Sequence, residues 1–195
     1  MKCVLATGNA NKVREMMPLF PENWELVNLR DIGFVGELQE DHQLIEDNSL
    51  QKAMFIWNKF GLPCIAEDTG LFVDALNGEP GVNSAHYAGP SRSSEDNIAL
   101  LLKKMKGVEQ RNAAFRTVMT LVYKGVAYQF EGVLEGKIAE NPSGEGGFGY
   151  DPVFEIHDGV TLAMISSEEK RQISHRSKAL NKLLEFVFNM EVNVI

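Results

Sequence analysis

The stretch PCIAEDTGLFVDAL, residues 63–76, is the strongest constraint in this chain. Its apolar residues read as a buried strand and its continuation, yet Glu67, Asp68 and Asp74 lie inside it. A buried carboxylate without a partner is costly enough that it protonates or acquires a counter-ion. Any fold of this chain must therefore supply something for these acids to face.

The surrounding pattern places that strand in a β-α-β-α-β opening. KCVLA (2–6) is a short apolar run ending in the turn signal TGN, VREMMPLF (13–20) is a helix that Pro18 disturbs, and WELVNL (24–29) is a second strand. Between Leu44 and Phe60 the residues Leu50, Ala53, Met54 and Trp57 form a helical stripe, stopped by Gly61 and Pro63. PCIA is the third strand, with EDTG just beyond its end. Ser93 or Ser94 caps a helix whose stripe is Ile98, Leu101, Leu102 and Met105, ending at Gly107. FRTVMTLVY (115–123) and VAYQFEGVLEGKI (126–138) form a hairpin turning at Lys124-Gly125, and a last helix carries Leu180, Leu183, Leu184 and Val187. The chain is thus expected to be α/β, a mixed sheet flanked by helices, in a single domain over 1–195 with a second, smaller lobe and a cleft.

Composition removes several classes. A net charge of −8 argues against a duplex nucleic-acid binder, which would show a basic face. No stretch approaches the roughly 20 apolar residues of a membrane span, and MKCVLATGN lacks a signal-peptide core, so a cytoplasmic location is expected. Cys3 and Cys64 read as buried free thiols.

Four segments carry the chemistry. In TGNANK (7–12), Thr7 and Asn9 offer hydrogen bonds, Gly8 lets backbone come close, and Lys12 adds positive charge at a helix start; an anion site and an ordinary capped turn both fit. Glu67 and Asp68, with Glu40, Asp41, Glu46 and Asp47 upstream, read as a Mg²⁺ site or as a solvated acidic loop. Phe148 and Tyr150, in a glycine-rich loop with Asp151, either stack on a flat base or fill core. Lys170, Arg171, His175, Arg176 and Lys178 gather near a helix capped by Ser174; cations there oppose the helix dipole unless an anion or carbonyl oxygen meets them.

TGNANK, IAEDTGLFVDALNGEPGVNSAHYAG, GFGYDPVF and SHRSKAL together resemble, in order and over about residues 3–184, the inosine triphosphate pyrophosphatase family. The resemblance implies a two-lobed α/β homodimer that cleaves non-standard purine nucleoside triphosphates (ITP, dITP, XTP) between the α- and β-phosphates, with Mg²⁺. It implies that Thr7, Gly8, Asn9, Ala10, Asn11 and Lys12 cradle the triphosphate, and that Glu40 and Asp68 hold the metal. Asp68 is also the base that activates water, and Lys52 and Thr69 contact substrate. Phe148, Gly149, Tyr150, Asp151, Lys170, His175 and Arg176 hold the base and phosphates. On this reading His175 and Arg176 donate to the 6-oxo group, Lys12, Lys52 and Lys170 stabilise departing pyrophosphate, and Asp74 is a structural hydrogen-bond acceptor. His86 stands where the family usually has Arg, and Asp47 and Ser49 where Glu and Ala are common. A pyrophosphatase for modified pyrimidine or methylated nucleotides is the nearest alternative.

Overall fold

The structure, a computed structural model, describes residues 2–192. In chain order the elements are β1 (Lys2–Leu5), α1 (Ala10–Met16), β2 (Glu25–Asn28), α2 (Ile45–Phe60), β3 (Cys64–Val73) and β4 (Pro80–Gly81). They continue with α3 (Ser94–Lys104), β5 (Asn112–Tyr123), β6 (Val126–Ile138), β7 (Phe154–His157), β8 (Val160–Thr161), α4 (Ser167–Ile173) and α5 (His175–Val192). The strands form a mixed sheet in the order β2-β1-β3-β5-β6-β7-β8, with β4 paired to β3. The chain divides into two compact units, the first made of residues 1–68, 117–132 and 176–195, the second of 69–116 and 133–175.

In the first unit β1 pairs in parallel with both β2 and β3. Parallel strands are covered on both faces, which is why KCVLA and PCIA are continuously apolar rather than alternating. Successive side chains on a strand point to opposite faces, and the two cores follow that rule. Cys3, Leu5, Ile65, Met119 and Leu121 pack against Met16 of α1 and against Ala179, Leu180, Leu183 and Val187 of α5. Val4, Ala6, Cys64, Ala66 and Val122 pack against Ala53 and Ile56 of α2. The two cysteines accordingly lie in different cores, and both are free.

Helix α2 shows where hydropathy misleads. Its buried residues are Ile45, Asn48, Ser49, Lys52, Ala53 and Ile56, a face rotated from the stripe expected through Leu50, Ala53, Met54 and Trp57. The 3.6-residue period is obeyed, but half of the inner face is polar. Gly61 closes the helix at φ 66°, as expected of a left-handed stop.

The second unit packs one core around Phe154, whose ring lies 4.6 Å from that of Phe115. Leu101 and Met105 of α3 complete it, and Ser93 caps α3 by accepting from the Asp96 amide. Asn97 of the same helix ties down the segment before it, accepting from the Ala88 amide at 2.7 Å and donating to the carbonyls of Ser84 and Ala85.

Two expected element bounds need correction. EDTG does not follow the third strand; β3 runs through it to Val73, because Gly70 lets β4 lie close. A Cβ at Gly70 would stand 2.6 Å from the Gly81 carbonyl oxygen. Asp74, expected as a structural hydrogen-bond acceptor, is exposed, since the strand has ended before it. Helix α3 stops at Lys104 rather than at Gly107. Among the described residues no helix is long and apolar enough to cross a membrane.

Burial pushes the Cys3 thiol up to about 12 and raises that of Cys64 as well, which keeps both as unreactive thiols. Native protein is expected to resist an aromatic disulfide reagent at pH 8, with both thiols titrating once guanidinium unfolds the chain. Rapid reaction of either in the native state would contradict this packing.

Candidate functional site

The first unit gathers a buried charged cluster. Glu67 and Asp68 are adjacent on β3, so their side chains leave on opposite faces and meet different partners. Glu67, 2% exposed, accepts from Arg176 Nε at 3.0 and 3.3 Å and pairs with Lys12 Nζ at 3.2 Å. Arg176 also holds Glu15 through Nη1. Burial alone would raise the Glu67 carboxyl, but Arg176 and Lys12 outweigh it and hold it at about 2 against an ordinary 4.5.

Asp68 faces the other way, toward α2 and the segment before it. Its Oδ1 lies 3.5 Å from Lys52 Nζ and its Oδ2 accepts from Asn48 Nδ2 at 3.3 Å. Lys52 Nζ is also paired with Glu40. Burial raises Asp68 above the usual carboxylate range; Lys52 opposes that rise and Glu40 adds to it, while Lys12 and Asn48 lower it. A buried carboxylate with a raised pKa beside a partner charge has the features of a functional group.

The TGNANK segment forms the loop before α1 and that helix's first turn. Thr7 Oγ1 accepts from the Asn9 amide at 3.2 Å, and Asn9 Oδ1 accepts from the amides of Asn11 and Lys12 at 3.0 and 3.3 Å. Asn9 is therefore an N-cap, and the amides expected to cradle phosphate are engaged by its side chain. Gly8, Asn9 and Ala10 are exposed, Thr7 and Asn11 half-buried.

The second unit holds a separate group. Gly147 has φ 74°, and a Cβ there would overlap the Asp151 carboxylate; the loop wraps that close around Asp151. Asp151 Oδ2 accepts from the Phe148 amide at 2.8 Å and from Lys170 Nζ at 2.6 Å, while Lys170 Nζ stands 4.8 Å from the Phe148 ring centroid. His175 is 3% exposed and stacks on Phe115, centroids 4.8 Å apart and planes 15° apart. Gly149 and Thr69 are half-buried.

Several of the expected site residues already have partners within the protein. Tyr150 fills core: it is 5% exposed and its hydroxyl donates to the Ser84 carbonyl at 2.9 Å. Glu67 is held between Arg176 and Lys12 on the face of β3 opposite Asp68. Arg176, expected to read the base, has Nε and Nη1 committed to Glu67 and Glu15; these carboxylates are the anions that justify a cation in the first turn of α5. Ser174 does precede α5, in extended conformation, whereas α4 is capped by Ser166 in a capping box with Glu169. Lys170, expected on the departing pyrophosphate, is bound to Asp151. His86 is exposed in the second unit and Asp47 exposed in the first, while Ser49 is buried, hydrogen-bonding Ala66 and Thr120.

Asn48 and Glu15 were not legible as site residues. Asn48 lies one helical turn before Lys52, the only hint that the two share a face. Glu15 carries no local signal at all.

Glu40 and Asp68 are the pair that fits a divalent cation. Both lean on one ammonium, and Mg²⁺ commonly takes one or two protein carboxylates, with water and substrate phosphate completing its shell. Among the described residues no three His, Cys, Asp or Glu side chains converge as a metal-binding group.

A family profile described as the Ham1 family matches residues 3–186. A dITP/XTP pyrophosphatase of Flavobacterium johnsoniae is 42% identical, covering 96% of this chain and 98% of its own. One of Thermus thermophilus is 47% identical over 95% and 91% respectively. Among solved structures, the Staphylococcus aureus Ham1 protein superposes with a TM-score of 0.91 at 35% identity, covering 97% of this chain and all of its own. A Coxiella burnetii HAM1 protein gives 0.90 at 32% identity, covering 97% of this chain and 99% of its own.

The Glu67 carboxylate, held low in the folded state, stabilises the fold above its unfolded pKa, and that contribution is lost as pH falls from 4.5 toward 2. The shift corresponds to on the order of 3 kcal/mol. Urea unfolding at pH 5 and pH 2.5 should show a smaller acid loss in Glu67→Gln than in wild type. Identical pH dependence of the two proteins would refute the assignment.

Proposed function

This chain belongs to the Ham1 family. From that premise we propose that it hydrolyses ITP, dITP and XTP to the nucleoside monophosphate and pyrophosphate with the aid of Mg²⁺. The observation that carries the assignment of roles is the position of Asp68. It is a buried carboxylate with a raised pKa, sharing one cation with Glu40.

Mg²⁺ held by Glu40 and Asp68 would neutralise phosphate charge and polarise the α-phosphoryl group. Asp68 accepts the proton of the attacking water. Lys12 and Lys52, now paired with Glu67 and with Glu40 and Asp68, offer ammonium groups to the triphosphate and to the pyrophosphate that leaves. Thr7 to Lys12 receive the phosphates, which requires Asn9 to exchange its own cap for substrate, and Thr69 contacts substrate beside Asp68. In the second unit Phe148, Gly149, Asp151, Lys170 and His175 hold the base: the Phe148 ring offers a stacking face and Lys170 and His175 offer donors. Donors matched to a 6-oxo group leave the 6-amino group of adenine without an acceptor, a discrimination worth up to about 10⁴–10⁵-fold. Tyr150 and Arg176 act from behind, the first as core and the second as the counter-ion that keeps Glu67 charged. The same family membership supports a homodimer located in the cytoplasm, testable by light scattering of the purified protein and by cell fractionation.

Incubation with Mg²⁺ and dITP, XTP, dGTP, dATP or dTTP, with pyrophosphate measured against orthophosphate, tests the reaction. Pyrophosphate is expected from dITP and XTP; preferential turnover of dTTP, or release of orthophosphate, would overturn the substrate assignment. Asp68→Asn is expected to lower kcat by about 10²–10⁴-fold while the protein stays folded. A kcat close to wild type would remove Asp68 as the base.

A further inference from the structure

Asn48 is 2% exposed on the inner face of α2, in a helix turn that also carries Gln51 and Lys52. These three residues grip the segment 40–42, which has no regular secondary structure of its own, one residue each. Lys52 pairs with Glu40. Gln51 accepts from the Asp41 amide at 3.2 Å and donates to the Asp41 carboxylate at 2.9 Å. Asn48 accepts from the His42 amide at 2.9 Å and donates to the His42 carbonyl at 3.2 Å.

Asn48 and Lys52 also reach Asp68, Lys52 at Oδ1 and Asn48 by donating its second N–H to Oδ2 at 3.3 Å, whereas Gln51 holds the segment alone. The orientation of its amide is settled by the network: only Oδ1 can accept from the His42 N–H, which turns Nδ2 toward both the His42 carbonyl and Asp68. One acceptor and two donors are then all used, and no other side chain of that size offers the same set.

Resting on the catalytic role of Asp68 given above, we propose that Asn48 is a positioning residue that fixes the Asp68 carboxylate and couples its orientation to the docking of the 40–42 segment that carries Glu40. The hydrogen bond to Oδ2 leaves Oδ1 directed at Lys52, so the two oxygens of the base have different tasks. Loss of the Asn48 amide frees the carboxylate to rotate and at the same time releases the segment at His42. Gln51 holds the same segment without touching Asp68, and so separates the two effects.

The test compares Asn48→Ala, the isosteric Asn48→Asp and Gln51→Ala, each first checked for a cooperative unfolding transition. Asn48→Asp keeps the volume and the acceptor, loses both donors and sets a like charge beside Asp68, so it serves where Asn48→Ala does not fold. With Mg²⁺ and dITP, both Asn48 variants are expected to lose about 10–100-fold in kcat, the range for residues that orient catalytic groups, with little change in KM. Gln51→Ala is expected to keep kcat near wild type. Hydrogen exchange of the His42 amide, which needs no turnover, is expected to be faster in Asn48→Ala than in wild type. A kcat near wild type in the Asn48 variants, a change confined to KM, an equal kcat loss in Gln51→Ala, or an unaltered His42 exchange rate would each overturn the coupling. Wild-type protein that released no pyrophosphate from dITP would instead overturn the reaction on which the inference rests.

Discussion

The ion pair between Glu67 and Arg176 is the constraint around which the first unit is organised. It joins β3 to the first turn of α5, residues 109 positions apart, at 3.0 Å in an environment where neither group can be hydrated. Burying two charges costs several kcal/mol per ion, and the arrangement survives because each has more than one partner. Lys12 adds to the Glu67 side and Glu15 to the Arg176 side, and both come from α1, so three elements are fastened at one point. Removing Arg176 would leave Glu67 buried with Lys12, a loss of the kind that costs about 3–5 kcal/mol. The same pairing gives Lys12, the last residue of TGNANK, a task in the fold itself.

The two faces of β3 divide the labour. Glu67 turns to the structural network, and Asp68, one residue on, turns to Lys52, Glu40 and Asn48. A single apolar strand thus carries two adjacent acids with separate sets of partners. Helix α2 turns Asn48, Ser49 and Lys52 to its inner face, Asn48 and Lys52 meeting Asp68 and Ser49 meeting Ala66 and Thr120. Those positions give up apolar burial, and Ile45, Ala53 and Ile56 restore enough of it to hold the helix in place.

The second unit solves a similar problem with a shorter circuit. Asp151 and Lys170 neutralise one another at 2.6 Å and in doing so pin Phe148 through its backbone amide and its ring. A charge-assisted hydrogen bond of that kind holds the glycine-rich loop in one shape, although four glycines between 144 and 149 give it freedom to leave. The ring of His175 lies stacked on that of Phe115.

Much of this was local enough to read in the sequence. The β-α alternation, the hairpin at Lys124-Gly125, the stop at Gly61 and the apolar face of α5 all follow from period, turn chemistry and caps, which act within a few residues. That Asp68 and Lys12 stand out was legible too, because acids in an apolar run and a lysine after a capped turn are each unusual. Which partner each charge takes was not. Glu67 against Arg176, Asp151 against Lys170 and Asn48 against Asp68 are separated by 109, 19 and 20 positions, and Coulomb attraction and hydrogen bonding depend on distance in space, which only packing sets. The polar inner face of α2 stayed hidden for the same reason: hydropathy reads Asn48 and Lys52 as outward-facing, and only the presence of Asp68 and Glu40 across from them makes inward the cheaper direction.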